Sequence, residues 1–277
     1  MYLKHFGLSE LPFGITPDTS FIYLLLHHQE ALNTLLLALN SGEGFVKISG
    51  EVGSGKTLLC RRLLQSLDDS WVSAYIPNPN LSANTLFLAL AEELGVNEKL
   101  NRLDQYHLVG CINKALLAYA QEGKRVVLCI DEAQAMPIET LEALRLLSNL
   151  ETEKSKLLQI VLFGQPELDE KLRRPELRQL LQRIAFHYSL GMVGKDEFSN
   201  YIAHRLRVAG YRGEALFSKG ALRVLRRASG GTPRLINILA HKSLLAVFGE
   251  GRQTVKPKHV RLACKDTEGA RSAGWFF

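Results

Sequence analysis

The chain has 277 residues, 46% of them apolar and 22% charged, the balance of a soluble globular protein with a well-buried core. No apolar run approaches the roughly 20 residues of a membrane span, and the opening Met1-Tyr2-Leu3-Lys4-His5 lacks the basic-then-apolar layout of a secretory leader. Cys60, Cys111, Cys129 and Cys264 form no Cys-x-x-Cys pair and sit in apolar surroundings, which argues for buried thiols rather than a disulfide or zinc framework. A reduced, cytoplasmic protein is the expectation.

The net charge of +6 is unevenly divided. From Tyr201 onward 15 Lys and Arg stand against 4 Asp and Glu, giving +11, while the preceding residues carry −5. A basic end of this kind binds nucleic acid or an acidic membrane surface, docks on the acidic part of a second copy, or is a solvated face.

In chain order, residues 1–20 hold Phe6, Pro12, Phe13 and Pro17 without periodicity and read as an ordered strap rather than a helix. His28–Asn40 has the spacing of an amphipathic helix. Strands are expected at Phe45–Ser49, Val72–Ile76, Arg125–Ile130, Leu157–Phe163 and Ala185–Leu190. Helices are expected between them at Thr57–Leu67, Ser82–Leu94, Tyr106–Gln121 and Ile138–Leu150. The third strand is almost wholly apolar, the mark of a central parallel position. Alternating strands and helices predict an α/β parallel sheet covered on both faces. After Gly191 only helical segments remain, near Lys195–Ala209, Ser218–Ala228, Pro233–Phe248 and Pro257–Lys265. The division expected is a strap (1–20), an α/β core (21–192), a helical domain (193–266) and a flexible tail (267–277). The tail ends in Trp275-Phe276-Phe277, which either docks on a partner, folds back or stays disordered.

Gly50-Glu51-Val52-Gly53-Ser54-Gly55-Lys56-Thr57 fits G-x-x-x-x-G-K-[ST] between a strand and a helix. Glycines let successive backbone N–H groups turn inward around phosphate oxygens, and the following helix points its positive end at them. Lys56 is expected to reach the β- and γ-phosphates of ATP and Thr57 to hold Mg2+, with backbone from Gly50 to Leu58 lining the nucleotide. A lysine at a helix N-terminus is unfavourable unless an anion sits there, so a surface turn is the weaker reading. Asp131 and Glu132 follow the apolar third strand, and ligands of parallel sheets bind at strand carboxyl ends. Asp131 there holds the metal through water, and Glu132 deprotonates the attacking water. The competing reading is an acidic N-cap, which a pair of acids behind a buried strand makes weaker.

The P-loop, the Asp131-Glu132-Ala133-Gln134 box and the trailing helices resemble an AAA+ ATPase. The opening Tyr2…Phe6-Gly7-Leu8…Pro12-Phe13, Gly164-Gln165-Pro166-Glu167-Leu168 and Gly231-Thr232-Pro233-Arg234 are similar to the ExeA/GspA-like bacterial secretion and pilus ATPases. Within that group, Tyr75–Pro79 and Glu142–Glu153 most resemble the ATPases of mannose-sensitive haemagglutinin-type pilus biogenesis. The resemblance runs from residue 1 to about residue 266. It implies an AAA+ core with strand order 5-1-4-3-2 and a helical lid. Longer members add a transmembrane segment and a wall-binding domain, which this chain does not reach.

The same resemblance implies further roles. Gln165 falls where the family's first sensor reads the γ-phosphate, although the usual residue is smaller, and a plain turn residue is the alternative. Arg183 precedes the fifth strand, where an arginine finger projects into a neighbour's site; Arg178 is the alternative, and so is a solvated arginine. Arg234 lies just inside a helix N-terminus, where an arginine opposes the dipole, and a lid arginine reaching the γ-phosphate explains it. Phe13 and Ile15, with His28, either flank the adenine or pack as core. The implied function is an Mg-dependent ATP hydrolase acting as a switch or assembly factor for a pilus or secretion apparatus. Its expected partners are copies of itself arranged head to tail and proteins of that apparatus, reached at the inner membrane through a partner. A DNA-handling ATPase is the competing function, which the basic lid favours.

Overall fold

The computed structural model describes every residue except 1, 17, 22, 24–25, 97–103, 152–155 and 272–277. The chain divides into two compact units, one of His28–Glu51 and Leu59–Leu190, the other of Met1–His27, Val52–Leu58 and Gly191–Phe277.

The first unit holds a five-stranded parallel sheet. Its strands are β1 (Phe45–Gly50), β2 (Trp71–Ile76), β3 (Arg125–Ile130), β4 (Gln159–Gly164) and β5 (Ile184–Leu190), in the order β2-β3-β4-β1-β5. This is the expected order, and every pairing is parallel. The central β1 and β4 are buried throughout, whereas the edge strand β5 alternates between partly covered and exposed residues.

Alternation across the pleat sends side chains to two layers. Val126, Leu128 and Ile130 of β3 join Leu86 and Leu90 of α4 (Ala83–Glu93), Ile112 and Leu116 of α5 (Gln105–Gln121), and Leu144 of α6 (Ile138–Leu147). Val127 and Cys129 face the other way, onto Leu35 and Leu39 of α2 (Leu26–Asn40) and Leu59 and Leu63 of α3 (Lys56–Ser66). Ser82 and Asp104 cap α4 and α5 by accepting the N–H groups of Thr85 and His107, which fixes where those helices start. Helix α6 ends at Leu147, three residues short of the expected limit. Two short helices that periodicity does not announce follow β4, α7 (Pro166–Leu172) and α8 (Arg178–Leu181).

The second unit is helical. Residues 1–20 were expected to contain no helix, yet Leu3–Phe6 forms one turn, α1, ended by Gly7 at φ 66°. Four residues are too few to show a 3.6-residue period, and the glycine supplies the left-handed stop. The helices α9 (Phe198–Val208), α10 (Lys219–Ser229), α11 (Pro233–Gly249) and α12 (Pro257–Lys265) close over Tyr2, Phe6 and Phe13. Polar contacts staple the strap to them. Arg205 donates to the Pro12 carbonyl at 2.7 Å, Asn237 donates to the Gly14 carbonyl at 3.3 Å, and Tyr2 shares a hydrogen bond with His241 at 2.8 Å. The stretch after Lys265, read from sequence as a linker, is bound back as far as Arg271, whose N–H donates to the Ala228 carbonyl at 2.9 Å. Trp275, Phe276 and Phe277 lie outside the described residues. Among the described residues no helix is long and apolar enough to cross a membrane.

Candidate functional site

The glycine-rich loop leaves the buried strand β1 and turns directly into α3. Gly53 and Gly55 have φ of 76° and 102°, the left-handed region that a side chain resists. Ser54 and Lys56 are buried, and Thr57 is half-buried. A lysine buried at the first position of a helix places its cation against the positive end of the helix dipole, a combination suited to an anion held there. In the same unit Arg234, the second residue of α11, lies against the loop. Its N–H donates to the Gly53 carbonyl at 3.3 Å, and a Cβ on Gly53 would stand 2.6 Å from the Arg234 Cβ. The structure therefore brings Arg234 to the P-loop.

Because the sheet is wholly parallel, β1, β3 and β4 all end at one edge. At the end of β3 Asp131 is 2% exposed, its N–H donates to the Ile76 carbonyl, and its Oδ1 accepts the Glu132 N–H at 2.9 Å. Glu132 is the one non-glycine at positive φ among the described residues, at 51°. That conformation costs about 1–2 kcal/mol, so surrounding contacts must hold it. Gln165 at the end of β4 donates from Nε2 to Glu132 Oε2 at 3.0 Å, and Gln134 donates to the same oxygen at 2.5 Å. The structure thus joins the expected sensor Gln165 to the expected base Glu132, and adds Gln134, whose part the sequence alone did not disclose.

The Gly164–Leu168 motif has a packing reason. Leu168 is fully buried, and a Cβ on Gly164 would meet its Cδ2 at 2.5 Å, so glycine is what lets α7 sit close on β4. Pro166 then starts α7 at a position with no N–H to lose. From α7, Lys171 donates to the carbonyls of Gln134 and Met136, and Asp169 pairs with Lys47 of β1, buried in the sheet. Burial pushes the Lys171 amine below its ordinary value, with the nearby Arg174 adding to the effect.

The remaining expected residues lie apart from these. Arg183 donates to Ser148 Oγ at 2.5 Å and weakly to the Arg145 carbonyl, at the end of α6, whereas Arg178 is exposed on α8. Phe13 is buried edge-on to Phe217 in the helical unit, the core reading of that residue, and Ile15 is 61% exposed. His28 is buried in α2. Cys60 and Cys129 are buried free thiols, and Cys111 and Cys264 are half-buried. Hydrogen bonding to Cys129, with burial, raises the Cys60 thiol, which keeps it protonated and unreactive. Among the described residues no cluster of His, Cys, Asp and Glu forms a protein-only metal cage. A divalent ion would instead draw ligands from phosphate and water, as magnesium does.

Residues 38–172 match the family described as AAA domain. The chain is 43% identical over 274 residues, 99% of its length, to "General secretion pathway protein A" of Aeromonas hydrophila, and spans about half (50%) of that relative. Its fold is similar to the Cdc6p protein of Pyrobaculum aerophilum, with TM-score 0.70 and 20% identity over 90% of this chain and 70% of that one. It is also similar to the ORC2 protein of Aeropyrum pernix, with TM-score 0.67 and 15% identity over 91% of this chain and 72% of that one.

Proposed function

The chain belongs to the ExeA/GspA-like AAA+ ATPases, and on that premise we propose that it binds ATP with Mg2+ at Gly50–Leu58 and hydrolyses it to drive a shape change in a secretion or pilus apparatus. The observation that carries the proposal is the loop itself: two left-handed glycines and a buried Lys56 opening α3 form a phosphate cradle. Lys56 binds the β- and γ-phosphates. Thr57 and Asp131 supply hard oxygen ligands suited to magnesium, which neutralises charge developing on the transferred phosphoryl group. Glu132 orients and deprotonates the attacking water, Gln165 reads the γ-phosphate beside it, and Arg234 reaches the phosphates from the lid. An arginine finger comes from a second copy, with Arg183 and Arg178 as the candidates. The apparatus is proposed from the relative's name and from the pilus-like sequence segments, with magnesium dependence and self-assembly part of the same proposal.

The test is Glu132→Gln, assayed for nucleotide affinity and for phosphate release. Retained ATP affinity with turnover lowered by about 100-fold or more is expected. Hydrolysis at the wild-type rate would remove Glu132 from the role of base.

A DNA-handling role has one observation in its favour. Arg223 and Arg227 on α10, and Arg261 and Lys265 on α12, are exposed, make no ion pair among the described residues, and belong to two helices packed side by side. Binding of duplex DNA that weakens steeply with salt, and is lost on replacing those residues by Ala, would establish it.

A further inference from the structure

Glu132, Gln134 and Gln165 form a closed cycle of three hydrogen bonds. Gln134 Oε1 accepts the backbone N–H of Gln165 at 3.0 Å. Only the amide oxygen can accept, so that bond fixes the amide's orientation and turns Nε2 toward Glu132 Oε2 at 2.5 Å. Gln165 Nε2 completes the cycle on the same oxygen at 3.0 Å. Gln134 itself is held, because Lys171 donates to its carbonyl at 2.5 Å and to the next-but-one carbonyl, Met136, at 2.8 Å.

We propose that Gln134 is the positioning residue for Glu132, a strut tying the carboxyl ends of β3 and β4 so that displacement of Gln165 re-aims the Glu132 carboxylate. The proposal rests on the reading of Glu132 as the base. Aiming a glutamate side chain costs up to about 1.5–2 kcal/mol of rotamer entropy. Two amide donors on one oxygen remove that freedom in advance. Gln134 bonds Gln165 through that residue's backbone N–H, so a shift of β4's end moves both donors together. Sequence reasoning passes over Gln134 because its partner lies 31 residues away.

The test uses the full chain with two variants. Gln134→Leu keeps bulk and removes both bonds. Gln134→Glu keeps an acceptor for the Gln165 N–H and sets a second carboxylate against Glu132. ATP affinity within about two-fold of wild type, with kcat lowered about ten-fold or more, is expected for both. The fall should be larger for Gln134→Glu, which adds repulsion between like charges to the lost donor. Crystal structures of both variants read the Glu132 side chain without turnover, and its carboxylate should leave the Gln165 amide or spread over more than one rotamer. A Glu132 carboxylate in an unchanged place in both variants overturns the proposal, and so does an unchanged kcat. If Glu132→Gln protein hydrolyses ATP normally, the base assignment falls, and the placement of the Glu132 carboxylate alone still decides whether Gln134 holds it.

Discussion

Arg234 and Gly53 are in backbone and side-chain contact at once: the Arg234 N–H donates to the Gly53 carbonyl at 3.3 Å, and no Cβ fits on Gly53 without meeting the Arg234 Cβ at 2.6 Å. The glycine is needed twice, for its φ of 76° and for that approach. Gly53→Ala should therefore combine about 1–2 kcal/mol of backbone strain with a clash against an atom that cannot rotate away. A Tm lower by about 5 °C and ATP affinity reduced at least ten-fold are expected, from calorimetry and nucleotide titration. Unchanged values for both would mean that the loop and α11 part freely.

Lys56→Ala should abolish tight ATP binding, since the cation acts on phosphates already in the ground state. A loss of at least about 100-fold in affinity is expected by titration with a fluorescent nucleotide. Retained affinity would show that the backbone cradle suffices alone.

Gly164→Ala drives a methyl into Leu168, fully buried in α7. Overpacking of this kind costs about 1–3 kcal/mol. Since α7 also carries Lys171 and begins after Gln165, kcat should fall along with Tm. A drop in Tm with kcat intact would show that α7 can shift without disturbing the end of β4.

The two candidate fingers differ in their surroundings. Arg183 is engaged with Ser148 and the Arg145 carbonyl of its own chain, and Arg178 is exposed. Arg183→Ala should lower Tm, through loss of the bonds at the end of α6. Arg178→Ala should lower turnover about 1000-fold without weakening nucleotide binding. Mixing Arg178→Ala with Glu132→Gln protein should restore part of the activity. No rescue from mutants that both assemble would rule out a finger in trans at Arg178.

Burial lowers the basicity of His241, which shares a hydrogen bond with Tyr2, and burial pushes the Tyr2 hydroxyl up to about 12. In the unfolded chain histidine takes its proton near pH 6.5. The folded imidazole takes it only at lower pH, so between those values the unfolded state binds more protons and stability falls as pH falls. The Tm should be level just above neutrality and decline from about pH 6.5 downward. His241→Gln should flatten that decline, and an identical slope in the variant would assign it to other groups.

The P-loop and Asp131-Glu132 are legible as candidates because the chemistry proposed for them depends on local spacing, which a linear pattern preserves. Strand positions were legible from apolar runs, but the order of strands came through resemblance, since no periodicity encodes which strand lies beside which. Helices α7 and α8 went unseen because one or two turns leave no period. The hold of Arg205 on Pro12 and of Gln134 on Gln165 is invisible for another reason: each is a polar contact between distant segments, and polar side chains carry no pattern that names their partner.

Three stretches of chain, widely separated in sequence, build the helical unit. Tyr2, Phe6 and Phe13 are synthesised well before the residues that cover them on α9 to α12, which come roughly two hundred positions later. At about 5–20 residues per second, the interval is on the order of 10–40 s. Throughout it, the leading aromatics have no native place to go. The nascent chain therefore carries an adhesive apolar stretch until those helices emerge, and a chaperone that captures it during synthesis should raise the yield of folded protein more than one acting after release.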